Sequence, residues 1–153
     1  MTSYKIEGMA ELERSLKQLA RVPQTVATQA ARSGATIALK AARSKAPIDT
    51  GQLRSGIIMK GERKTITGKK VYDVMMNPAM NNVFVKMVQN PVQLKGNRAY
   101  YPASQEYGFR TANGGYIPGY GFLKSAMVNN KVAIESKMVA VASKAVDKAL
   151  RGR

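Results

Sequence analysis

The sequence predicts one α+β domain, with helices at both ends of the chain packed on a small antiparallel sheet. Three observations predict it. Apolar and small residues recur at three- and four-residue steps over 9–46 and again over 122–150, which is the helical period. A stretch rich in β-branched and aromatic residues, 57–77, lies between them and suits strands. The 153 residues, 44% of them hydrophobic, are enough for one core without staples.

From the N-terminus, Met9, Leu12, Leu16 and Leu19 mark one stripe of a first helix over 9–20, with Pro23 as its stop signal. Pro23 then opens a second helix, where its missing N–H costs nothing. That helix runs to about Ala46. Ala27, Ala30, Ala31, Gly34, Ala35, Ala38, Ala41 and Ala42 dominate its interior, giving strong helix propensity and a face that admits close approach. Pro47 ends it by pushing the preceding residue out of helical geometry. In the turn that follows, Asp49 and Thr50 are expected to cap, with Gln52 in the position reciprocal to Asp49. Gly51 supplies a backbone conformation closed to other residues.

Ile57, Ile58, Met59, Thr65, Ile66, Val71, Tyr72 and Val74 predict strands joined by a hairpin at Thr67-Gly68-Lys69-Lys70. Val83 to Val88 is a further candidate strand. About 90–121 is expected to be irregular and mobile, with one strand or short helix around Ala99–Tyr107. It holds Pro91, Pro102, Pro118 and the glycines at 96, 108, 114, 115, 119 and 121. A stretch of that length in a small domain is usually functional. A last helix is expected over Phe122–Leu150. Its stripe is Met127, Ile134, Met138, Val141, Ala145 and Ala149, flanked by Lys137, Lys144, Lys148 and Arg151.

The net charge is +16 and is spread along the chain. Between Glu13 and Asp49 there is no acid, but seven Lys and Arg occur. Such a balance favours acidic or polyanionic partners and a charged folded surface. No apolar run of about 20 residues is present to span a membrane, and the first residues lack a secretory pattern. With no Cys, no disulfide or thiolate metal site is possible.

The inventory for catalysis is poor. His and Cys are absent, and the nine acids are scattered, Glu7 and Glu11 alone sharing a helical spacing. No enzyme activity, cofactor or metal is expected. The run Asn113-Gly114-Gly115-Tyr116 lacks the Gly-Lys-Ser/Thr ending of a phosphate loop and reads as turns. Arg98 beside Tyr100 and Tyr101, and Arg110 beside Tyr107 and Phe109, allow two readings. Stacking with phosphate neutralisation would bind nucleic acid, whereas Tyr and Arg together are also what protein interfaces use. The second is preferred, because no nucleic-acid motif accompanies the charge. A steep loss of DNA binding with added salt would reverse that preference. The basic flank of the last helix reads by default as a solvated face.

Ala46-Pro47-Ile48-Asp49-Thr50-Gly51-Gln52-Leu53-Arg54-Ser55 resembles the signature of a phage tail-component family, described variously as head–tail joining, neck or tail-completion proteins. Tyr100-Tyr101, Glu106-Tyr107-Gly108 and Phe122-Leu123-Lys124-Ser125-Ala126 resemble its second block, with Gly119-Tyr120-Gly121 where the family often has Ala-Arg-Pro. The resemblance implies helices on a small antiparallel sheet and a ring of subunits, commonly six, between the head connector and the tail tube. It also implies residence in the virion, with assembly in the host cytoplasm, no membrane, and only transient contact with genomic DNA. Pro47, Asp49, Thr50, Gly51, Leu53 and Arg54 are then a structural motif. The interface candidates are Tyr100, Tyr101, Glu106, Tyr107, Gly108, Phe109, Tyr116, Tyr120, Phe122 and Leu123. A basic nucleic-acid-binding protein is the alternative.

Overall fold

The computed structural model describes residues 9–63, 67–87 and 98–151. Glu7, Thr65, Ile66, Val88, Pro91 and Gly96 lie outside that range. Helix α1 spans Met9–Lys45 and α2 spans Gln52–Gly56. Strands β1 (Ile57–Gly61) and β2 (Tyr72–Met76) form a hairpin in which Ile57 faces Met76 and Gly61 faces Tyr72. A single turn at Pro78–Met80 leads into α3 (Asn81–Phe84) and β3 (Val85–Met87). After β4 (Arg98–Tyr100) come α4 (Tyr101–Tyr107), β5 (Gly108–Arg110), β6 (Tyr116–Pro118), α5 (Phe122–Val128) and α6 (Lys131–Arg151).

The α+β class and its helical ends are as the sequence predicts. The β structure, however, is divided among three separate two-stranded antiparallel ribbons, β1–β2, β3–β4 and β5–β6. Within segment 90–121, the short helix expected near 99–107 is α4. The hairpin β5–β6 beyond it was not anticipated.

Helix α1 is continuous through Pro23, so the two N-terminal helices are one. Proline removes only its own N–H from the ladder and crowds the preceding turn. The 22 residues that follow, rich in Ala, hold the helix together across it. Of the stripe expected near its start, Leu16 is 56% exposed and Leu19 is half-buried.

The core sits where the C-terminal half of α1 meets α2, β1–β2, α3 and α5. Ala42, Ala46, Leu53, Ile57, Met76, Phe84, Phe122 and Ala126 form one buried cluster. Helix α6 packs along α1 on its small-residue face. At Gly34 a Cβ would come within 2.8 Å of Met138 Cγ and Sδ, so any side chain there would have to displace that of Met138 from the seam. Ile134 is buried there, and Met138, Val141, Ala145 and Ala149 are half-buried, as their spacing predicts. Met127 is not part of that seam and is exposed. The expected last helix breaks at Asn129–Asn130 because Asn130 turns its Nδ2 back to the Ala126 carbonyl (2.9 Å) and its own carbonyl starts α6 by accepting from Ile134. Asn competes with the helical ladder in this way.

Candidate assembly surfaces

The motif after α1 is a built corner. Gly51 precedes α2 with φ +77°, a conformation that costs an L side chain about 1–2 kcal/mol. Asp49 does not cap α2. It is exposed, and among the described residues its carboxylate accepts no hydrogen bond; Thr50 Oγ1 accepts from the Gln52 N–H at 3.5 Å instead. Leu53 anchors the corner in the core. Arg43, which sequence reasoning passed over, holds it from α1, donating through Nε (3.1 Å) and Nη2 (2.7 Å) to the Ile57 carbonyl. Gly56 lies against the buried Phe84 ring, and a Cβ there would overlap it. Arg54 is half-buried, and its enclosed Nε has no hydrogen-bond partner among the described residues. Pro47, Asp49, Thr50 and Gly51 line a cleft of about 140 Å³ whose far wall is Val83, Phe84, Lys86 and Tyr101.

The second block proves to be two things. Part of it is internal support. Phe122 is fully buried in the core and reaches no partner, while Leu123 packs half-buried against it. Glu106 is likewise buried. Its two carboxylate oxygens accept from the Leu123 N–H (2.8 Å) and the Lys124 N–H (3.0 Å), and so cap the start of α5 from a distance. The Glu106 carbonyl accepts from Gly121, and the Gln105 carbonyl from Tyr120. Anions at a helix N-terminus meet both the free N–H groups and the positive end of the dipole. Tyr100 packs edge-on against Phe84, ring centres 6.1 Å apart at 89°, and Tyr101 lies against the core.

The rest is surface. Ribbon β5–β6 carries Tyr107 at its root, which is 74% exposed, and Phe109, Tyr116 and Ile117 along its strands. Tyr120 follows it and is also exposed. The ribbon's base is fixed. Gly108 has φ +83° and sits so close to Ile117 and Gly119 that neither glycine has room for a side chain, while the Tyr116 hydroxyl donates to the Tyr107 carbonyl. Lys137, Lys144, Lys148 and Arg151 are all exposed on α6.

A third surface had no sequence signal beyond its alanines. A groove of about 650 Å³ runs between α1, the outer side of β2, and α5–α6. Its floor is Ala31, Ala35, Ala38 and Ala42, and five consecutive residues, Lys70–Val74, form one wall. A wall built of consecutive residues presents main chain as well as side chains.

The family model of the bacteriophage HK97-gp10 tail component matches residues 10–100, more than half of the chain. That range runs from α1 through β4 and includes the motif corner; the ribbon and α6 follow it. No curated protein and no solved structure matches the chain significantly. The chain belongs to the HK97-gp10 family of bacteriophage tail components, and is therefore a structural protein of the phage tail region that resides in the virion.

Proposed function

We propose that this tail-region subunit acts at the junction between the head connector and the tail tube, as one of several identical copies in a closed ring. Ribbon β5–β6 carries this reading. Its own subunit leaves Tyr107, Phe109, Tyr116 and Ile117 uncovered, and aromatic groups held rigidly in water are the anchors from which interfaces are made. A copy that offers such a ribbon on one face and receives it on another makes head-to-tail contacts, which close into a ring when the rotation per copy allows. The work done is burial and shape. No bond is made or broken.

The +16 charge fits this role. It complements acidic faces on connector and tail proteins, speeds their docking and fixes their orientation. Assembly takes place in the host cytoplasm before the finished virion leaves. Particles produced without the protein are expected to appear in electron micrographs as filled heads beside unattached tails; complete virions would overturn the assignment. The exposed column Lys137, Lys144, Lys148 and Arg151 favours a second reading, contact with DNA. Cross-links from those residues to the genome rather than to protein would support it.

A further inference from the structure

Two incomplete pieces of sheet lie in this subunit. Ribbon β5–β6 is three residue pairs long, and a hairpin of that size is marginal alone. Hairpin β1–β2 is also two-stranded, and one of its edges faces the groove.

The hydrogen-bond pattern says which groups that edge offers. Glu62 donates to the Val71 carbonyl and Asn77 to the Gly56 carbonyl, so the bonded pairs of this antiparallel ladder alternate from 56–77 to 62–71. The residues between, Tyr72 and Val74, therefore turn their N–H and C=O away from β1. Both line the groove, and among the described residues nothing meets these groups. The same logic applies to the ribbon. Thr111 donates to the Gly115 carbonyl, which makes 109–117 a bonded pair and leaves the Arg110 N–H and the Gly108 and Arg110 carbonyls pointing outward from β5, the Gly108 N–H being taken up by the Ser104 carbonyl.

Side chains match as well. Phe109 and Ile117 face each other in register and share one face of the ribbon; Arg110 and Tyr116 share the other. On β2, Tyr72, Val74 and Met76 turn inward and Asp73 is exposed on the outer face. A strand that continued this sheet over the groove, running parallel to β2, would stand Phe109 opposite Tyr72 or Val74 and so set Phe109 and Ile117 on the alanine floor of α1. Arg110 would lie on the outer face beside Asp73, which has no ion pair among the described residues.

We propose that the groove beside β2 receives ribbon β5–β6 of a second copy of this chain, β5 adding in parallel to the free edge of β2 to complete a four-stranded sheet shared between subunits. The occupant is argued from charge, Arg110 against Asp73, and from the unbonded main-chain donors and acceptors that both edges present. Affinity comes from main-chain hydrogen bonds, and selectivity from the two apolar side chains over small residues. The inference rests on the ring reading above and names its contact.

The chain has no Cys, so introduced thiols stand alone. Ala35→Cys and Ile117→Cys chains are co-expressed during phage assembly, and purified particles are treated with a short bis-maleimide. A band at twice the subunit mass is expected from mixed particles and from neither variant alone. Phe109→Cys with Ala31→Cys replaces the first pair if either variant fails to incorporate. Particles holding several copies per neck but giving no such band with either pair would overturn the strand addition and leave the ring intact. Particles holding one copy or none would remove the ring, and this contact with it.

Discussion

Glu106 is the residue whose change should matter most for least disturbance of packing. Its carboxylate meets two N–H groups of α5 inside the protein, so Glu106→Ala leaves both unpartnered. The expected cost is about 2 kcal/mol, read as a lower urea midpoint with unchanged slope. The motif corner separates two neighbours that the sequence alone cannot rank. Gly51→Ala forces an L side chain into φ +77° and should destabilise by about 1 kcal/mol, whereas exposed Asp49→Ala should stay within about 0.5 kcal/mol. At this scale sequence reading located the special backbone at Gly51 and offered Asp49 and Thr50 together as caps, of which only Thr50 meets an N–H among the described residues. A capping pattern states which residues can bond, and the direction in which Asp49 points is set by chain geometry that no spacing encodes. Glu106 was legible only as part of a motif, because its partners are 17 and 18 residues away.

Among elements, α1 illustrates both the reach and the limit of periodicity. Its small-residue face is written plainly in the alanines and in Gly34, and α6 does pack there. Its continuity is not. Proline is a strong local signal, yet the Ala-rich, packed stretch of helix that follows Pro23 outweighs it. Pro23→Ala should restore the N–H that bonds the Leu19 carbonyl and stabilise the protein by up to about 3 kcal/mol, with a matching rise in helical circular dichroism. A fall in stability would mean that the ring of Pro23 makes a packing contact worth more than the bond. The β elements were legible where they were long, as in β1 and β2. Three-residue strands such as β5 and β6 fall below the length at which alternation means anything. Asn130 hid the break between α5 and α6 for a similar reason: one polar residue inside an apolar period looks like solvent exposure until its side chain is seen turned back on the helix.

For the whole molecule, charge is the dominant global property. With 25 cationic side chains against nine anionic ones, self-repulsion opposes the compact state, and only two ion pairs, Glu13–Lys17 and Lys131–Glu135, both exposed, occur among the described residues. Screening should therefore stabilise the free protein. Its Tm is expected to rise by a few degrees between about 0.01 M and 0.3 M sodium chloride, as the Debye length falls from about 30 Å toward 6 Å. A flat or falling Tm would mean that attractive pairs outweigh the repulsion. The class of fold and the absence of a catalytic inventory were both visible from composition and period. The groove was not, since it is made by elements from three distant parts of the chain.

That α6 covers α1 has a consequence for how the protein is born. The alanine face of α1 is translated roughly a hundred residues ahead of its cover, so on the order of ten seconds pass at roughly 5–20 residues per second before the two can meet. During that interval a long, bare, weakly apolar helix stands in a crowded cell. Its smallness is then an asset: alanine offers little for a passing chain to grip, where leucine at the same positions would invite wrong partners.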